Sequence, residues 1–279
     1  MSQIIVQSTN FTDLTFTTFG NLFELTHNAQ QQFEINNVIF DNIYGAGIKL
    51  EPQDIFDKDN PLTLSIEGGI FTDNTPWVSG FINVYENSIV KINNTDFNNT
   101  SSAGSGSVIL ANYKENTIDI ENSSFNNNYA ILGGVFYSQF SSAITCTNCT
   151  FSNNIAIRGG LAFLNSNGKI ILNDCDVTEN QALNAPVIYI SACQAEFSEI
   201  SGSQIYENNV ITMGQLLARS APGTEHLSDA YIAEVTANEV FYNKSVSGSK
   251  KSAISMIKGK IKVQEDTHIY NQVNFLGTF

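Results

Sequence analysis

Phe125-Asn126-Asn127-Asn128-Tyr129-Ala130-Ile131-Leu132-Gly133-Gly134-Val135 returns 26 residues later as Phe151-Ser152-Asn153-Asn154-Ile155-Ala156-Ile157-Arg158-Gly159-Gly160-Leu161. The same anchor, an apolar residue with Asn within three positions, recurs at Phe40, Phe71, Phe97, Val177, Ile205, Phe241 and Ile269. A degenerate first copy without the Asn stands at Phe11. Successive anchors are 29, 31, 26, 28, 26, 26, 28, 36 and 28 residues apart. Self-similarity at such a period implies a stacked architecture in which each unit touches chiefly its neighbours.

Between anchors the chain alternates apolar and polar residues in short runs: Leu64-x-Ile66, Val90-x-Ile92, Ile118-x-Ile120, Ile144-x-Cys146 and Ile170-x-Leu172. A second run follows the glycine pair in Val135-Phe136-Tyr137, Leu161-Ala162-Phe163-Leu164 and Val187-Ile188-Tyr189-Ile190. These are strand patterns, about three per period, and no segment carries a helical apolar stripe. The fold class predicted is all-β, a single-stranded parallel β-helix of about ten coils spanning 1–279 as one domain. Asn128, Asn154, Asn180 and Asn208, each three after its anchor, are expected to stack as an amide ladder. Gly133-Gly134 and Gly159-Gly160 are expected to permit positive φ at a tight bend. A leucine-rich repeat is excluded by the absence of a Leu-x-x-Leu-x-Leu pattern, and propeller blades require a longer period and different punctuation.

Charged residues make up 14% of the chain, so Asn, Ser, Thr and Gln must supply most of its polar surface. A net charge of −14 speaks against nucleic acid or an anionic membrane as partner. Lys244, Lys250, Lys251, Lys258, Lys260 and Lys262 form a local exception, read as a solvated face. The first seven residues do not resemble a signal peptide, and no run is apolar enough to span a bilayer. The chain is expected to be a segment of a longer protein, reaching a membrane only through parts outside it.

Cys146, Cys149, Cys175 and Cys193 allow three pairings. Cys149 and Cys175 share one register, two residues before Phe151 and Val177, which places them about 5 Å apart in adjacent coils. A disulfide and a stack of free thiols both satisfy that spacing. Cys146-x-x-Cys149 has no second pair and no nearby His, so it does not read as a metal site.

The phrase Phe-x-x-Asn-x-Ala-x-x-Gly-Gly resembles the repeat of polymorphic outer-membrane protein passenger domains and of the wider pectin-lyase-like superfamily. The copies starting at Phe125 and Phe151 match closely and about six others in part. The resemblance implies a right-handed helix and an extracellular, adhesive or structural role. It also raises a polysaccharide lyase or hydrolase as the rival. Asn94-Thr95-Asp96 is the sole echo of that chemistry, without an Asp-Asp pair or a glycine-flanked His. Acid–base hydrolysis needs two convergent carboxylates, and the sequence shows no pair stacked in register on a plausible cleft. No catalytic residue, metal ligand or cofactor is therefore assigned, and the chain is read as a non-enzyme.

Two segments break the period. Residues 51–62 carry Asp54, Asp57, Asp59 and Asn60, read as a solvated acidic loop rather than a Ca²⁺ loop. Residues 215–234 carry Arg219, Glu225, His226 and Asp229 and are the candidate binding loop, with a protein or glycan as partner. Sequons at Asn10, Asn93, Asn98, Asn99, Asn122, Asn148 and Asn243 are glycan acceptors if the chain is secreted. The expected function is a stiff rod of a cell-surface protein that presents loops and stacks end to end with further coils. The rivals are a polysaccharide-active or carbohydrate-binding solenoid and a part of an intracellular or ciliary assembly.

Overall fold

A computed structural model describes residues 2–16, 21–26, 31–45, 47–52, 61–77, 79–113, 116–191 and 198–210. It also describes four short strands: Val240–Phe241, Ile254–Met256, Ile261–Val263 and His268–Gln272. Among these residues there is no helix, and every pairing between strands is parallel. The chain winds as a β-solenoid with three faces. The first sheet stacks nine strands, from Ser2–Gln7 to Ile261–Val263. The third stacks eight, from Phe23–Leu25 to Ile254–Met256. Between them lies a second sheet of 13 strands in two rows, joined by the long strand Gln204–Val210. That strand pairs with Asp176–Thr178 through its first half and with Gln181–Asn184 through its second. Seven complete turns precede it. At about 4.8 Å per strand, the nine-strand stack is roughly 40 Å long.

Alternation puts every second residue of the first sheet inside. One interior column runs Leu64, Val90, Ile118, Ile144, Ile170, and the next runs Ile66, Ile92, Ile120, Cys146, Leu172. Cys146 thus occupies an aliphatic position. The anchors form the central column of the second sheet. Phe11, Phe40, Phe71, Phe97, Phe125 and Phe151 stack face to face, with centroids 5.2, 4.7, 4.4, 5.0 and 5.0 Å apart. Phe81 and Phe136 meet this column edge-on from the third sheet. Each such ring pair adds about 0.5–1.5 kcal/mol to the burial itself.

Both corners beside the anchor need left-handed backbone. Asn94, Asn122, Asn148 and Asp174 take φ of 48–53° before it, and Asn99, Asn127, Asn153 and Glu179 take 56–57° after it. Asn and Asp reach this region most readily among residues with a side chain, which explains the abundance of Asn. At such corners inward backbone N–H groups leave the strand ladder, and side chains from the following turn receive them.

After the anchor this is the expected amide ladder. The Asn128 N–H and its Nδ2 both donate to Asn154 Oδ1 at 3.0 Å. Asn154 repeats the pattern on Asn180, and Asn180 on Asn208, at 2.9–3.0 Å. Each Nδ2 also donates to the anchor carbonyl one turn back: Phe97, Phe125, Phe151 and Val177. Thr100 occupies the same slot, and its Oγ1 is buried without a hydrogen-bond partner. Thr100→Asn should fill that gap and raise stability by about 1 kcal/mol, read from a urea midpoint at unchanged slope.

A second ladder precedes the anchor and is built from hydroxyls and thiols. The N–H groups of Gly69, Thr95 and Cys175 donate to Thr95 Oγ1, Ser123 Oγ and Ser203 Oγ at 3.4, 3.2 and 3.0 Å. Ser123 and Cys149 donate likewise to the sulfurs of Cys149 and Cys175. Each hydroxyl or thiol in turn donates to the carbonyl two residues behind it, as Ser123 does to Glu121 at 2.7 Å and Cys149 to Thr147 at 3.3 Å.

An added Cβ would collide with a carbonyl oxygen at both glycines of the pair, but only the first has a left-handed backbone. Gly133 and Gly159 do take positive φ, 66° and 68°. Gly134 and Gly160 do not. An added Cβ there would strike the carbonyl oxygens of Gly160 and Pro186 respectively, each in the following turn.

Candidate functional site

The outer face of the first sheet carries a shallow groove across four turns. One row of outward residues is Ser65, Lys91, Asp119, Thr145 and the next is Glu67, Asn93, Glu121, Thr147. Asp119 and Glu121 are two apart on one strand, so their side chains rise on the same side. Partial burial pushes the Asp119 carboxyl up from its ordinary value, with Lys91 opposing the shift and Glu121 adding to it. Asn93 spans the groove edge, donating to Glu67 Oε2 at 2.9 Å and accepting from Asn122 Nδ2 at 3.0 Å. Asn148 Nδ2 continues this outer amide ladder by donating to Asn122 Oδ1 at 2.7 Å. The groove thus offers carboxylate, ammonium, amide and hydroxyl groups, a surface suited to hydrogen-bonding polyols. Among the described residues no His or Arg lines it, and no group of three or more His, Cys, Asp or Glu side chains could hold a metal ion.

Sequence reasoning missed this grouping of carboxylates because outward positions repeat no residue type from turn to turn. Only the register of the strands brings Glu67, Asp119 and Glu121 onto one surface.

The triplet Asn94-Thr95-Asp96 is consumed by the scaffold. Asn94 makes a left-handed corner, Thr95 belongs to the inner hydroxyl ladder, and Asp96 accepts from Ser124 Oγ at 2.5 Å. Cys149 and Cys175 lie in successive turns as free thiols, each in the slot that Ser123 and Ser203 fill elsewhere. The hydrogen bond to Cys149 and burial push the Cys175 thiol far up, and burial does the same to Cys146. Cys149→Ser should therefore change stability by less than about 1 kcal/mol, since a hydroxyl makes the same two bonds. Cys146→Ser buries a hydroxyl in an aliphatic column and should cost about 2 kcal/mol, checked by paired urea titrations.

Of the sequon asparagines, Asn10, Asn99, Asn122 and Asn148 are exposed, and Asn93 and Asn98 are half-buried. Asn99 donates to Asp73 Oδ1 at 2.5 Å, and Asn98 accepts from Asn127 at 3.0 Å. Asn243, Cys193, the candidate loop residues Arg219, Glu225, His226 and Asp229, and 53–60 of the acidic loop lie outside the described residues. Arg158 lies over the Tyr189 ring at 5.5 Å, beside the outer aromatic stack Tyr137–Phe163–Tyr189. Among the described residues no helix is long and apolar enough to cross a membrane.

No protein family, curated protein or solved structure matches the chain. Function must therefore be argued from the solenoid itself. Its interior is given over to packing and to two polar ladders. Any chemistry or recognition falls to outward rows, corners and loops.

Proposed function

We propose that this chain is a stiff, non-catalytic segment of a large extracellular or cell-surface protein, a rod whose corners and loops meet proteins or glycans. One observation carries the reading most. The phenyl column and the inner polar ladders tie each turn to the next along the described solenoid, so bending any turn breaks aromatic contacts and buried hydrogen bonds together. The resemblance of the Phe-x-x-Asn and Gly-Gly phrases to polymorphic outer-membrane protein repeats, and to right-handed pectin-lyase-like helices, supports the same role. End-to-end stacking with further coils belongs to the same reading, since parallel strands of successive turns pair edge to edge.

The test is surface labelling of intact producing cells with a membrane-impermeant amine reagent. Recovery of labelled chain supports the proposal. An unlabelled chain recovered with cytoskeletal or ciliary material would replace it with the intracellular assembly reading.

A second reading, a polysaccharide-active or carbohydrate-binding solenoid, is favoured by the groove around Lys91, Asp119 and Glu121. Incubation with acidic polysaccharides decides whether that groove cleaves. New reducing ends or unsaturated products, both lost in Asp119→Asn, would establish an enzyme in place of a rod.

A further inference from the structure

A second row of rings runs up the outside of the solenoid, at the corner that follows three successive third-sheet strands. Tyr85 follows Ile82–Val84, Tyr113 lies just past Ile109–Ala111, and Phe140 follows Phe136–Gln139. Tyr85 and Tyr113 have centroids 5.5 Å apart, Tyr113 and Phe140 6.3 Å, and each pair is tilted by 24°. Two of these rings face water, Tyr113 at 44% exposed and Phe140 at 40%, while Tyr85 is half-buried.

Tyr113 and Phe140 also sit where an aromatic residue is disfavoured. Their φ values are 71° and 53°, in the left-handed region, where a bulky side chain costs roughly 1–2 kcal/mol. The corners beside the anchors use mostly Asn, Asp and Gly in such a conformation. Exposed stacking returns about 0.5–1 kcal/mol per pair, which at best offsets two strained residues. Stability therefore gives little reason for rings at this edge, and observed strain of this kind points toward recognition.

We propose that the Tyr85–Tyr113–Phe140 edge binds a neutral β-linked polysaccharide laid along the solenoid axis. The ring spacing is close to the length that one pyranose adds to an extended β-linked chain. It is also wider than the 4.4–5.2 Å of the buried phenyl column. The C–H face of a sugar can pack against the exposed parts of Tyr113 and Phe140. Amides flank the rings: Gln139 donates to Asn112 Oδ1, which also accepts the Tyr113 N–H at 3.1 Å. These fixed amides can meet sugar hydroxyls. Lys49 closes the far end, its Nζ 5.4 Å from the Tyr85 centroid and paired with Glu24 at 3.2 Å and with Glu51. The next turn carries Ser166 and Asn167 at this corner and no ring, so the row is open at Phe140. The Glu24 and Glu51 carboxylates, within a chain of net charge −14, disfavour an acidic glycan and select a neutral one.

This proposal deepens the surface-rod reading by naming its partner, and it rests on that reading for access to glycans. The test uses isothermal titration of the full chain with β-1,4-linked glucose and mannose hexasaccharides, with an oligogalacturonate as the acidic control. Wild-type protein should bind a neutral hexasaccharide, and Tyr113→Asn/Phe140→Asn should weaken binding at least tenfold. The double variant should melt no lower than wild type, because Asn is at ease at both φ values. Phe140→Tyr should retain binding. Absence of neutral-sugar binding by wild type, equal binding by the double variant, or a clear fall in Tm on removing the rings would each overturn the assignment. Surface labelling keeps the two failures apart: a labelled chain that ignores sugar loses only this site, whereas an unlabelled chain that binds sugar loses only the location.

Discussion

Asn154→Leu should lower the free energy of unfolding by about 4 kcal/mol, a large share of the roughly 5–15 kcal/mol that holds a typical domain together. The Asn154 amide serves four partners at once. Its Nδ2 donates to the Phe125 carbonyl at 3.0 Å and to Asn180 Oδ1 at 2.9 Å. Its Oδ1 accepts both the backbone N–H and the Nδ2 of Asn128 at 3.0 Å. The residue is wholly buried, so water cannot replace what is lost. Leucine has a similar volume and leaves no cavity, yet it orphans the Asn128 N–H and the Phe125 carbonyl. Each abandoned buried group costs about 1–3 kcal/mol. The anchor rings do not offset this, since Phe125 and Phe151 are already in contact through their faces. Because each turn contacts only its neighbours, weakening one junction should also split a single urea transition into two. A cost below 1 kcal/mol with one sharp transition would mean that the amide ladder is incidental to the stack.

The difference between the two inner ladders explains what could be read from the sequence. Asn128, Asn154, Asn180 and Asn208 repeat one letter at one offset, because only an amide adds two N–H donors to its accepting oxygen, one for the anchor carbonyl of the turn before and one for the amide of the turn after. The ladder on the other side of the anchor asks only for a small donor–acceptor atom. Thr95, Ser123, Cys149, Cys175 and Ser203 all supply one, so no letter repeats, and the cysteines invited redox and metal readings. The anchor column and the inward alternation of Ile118-x-Ile120 were equally plain, since burial tolerates few substitutes.

Outward rows were opaque for the opposite reason. Nothing inside the solenoid constrains Glu67, Lys91, Asp119 or Glu121, so the groove they share exists only in three dimensions. The outer ring row was hidden by a slip in spacing. Tyr85 and Tyr113 stand 12 residues before Phe97 and Phe125, whereas Phe140 stands 11 before Phe151. The second row of the second sheet was also unforeseen, because its outward Tyr129, Ile131, Ile155 and Ile157 blur the alternation that marks a half-buried strand.

Gly160→Ala should cost more than 3 kcal/mol, and Gly134→Ala about as much, although neither residue has positive φ. The obstacle is the turn above. A Cβ on Gly160 would collide with the Pro186 carbonyl oxygen and lie 2.9 Å from that of Gln181. On Gly134 it would collide with the Gly160 oxygen and lie 3.0 Å from that of Ile155. Those oxygens cannot retreat, because the same turns are bound by Gly134 N–H to Gly159 O at 2.9 Å and Gly160 N–H to Ala185 O at 3.0 Å. Relief would require spreading successive turns, which loosens the phenyl column as well. The chain itself shows where the requirement ends. Ala185 stands in register with Gly159, and it adopts a φ of 57° at the ordinary expense of the left-handed region. Pro186 stands in register with Gly160 and carries a ring. Glycine at this slot is thus dictated by a corner stacked directly over it, and not by the bend that it makes. Small losses at both Gly134 and Gly160, measured by urea denaturation, would refute close stacking as the origin of the second glycine.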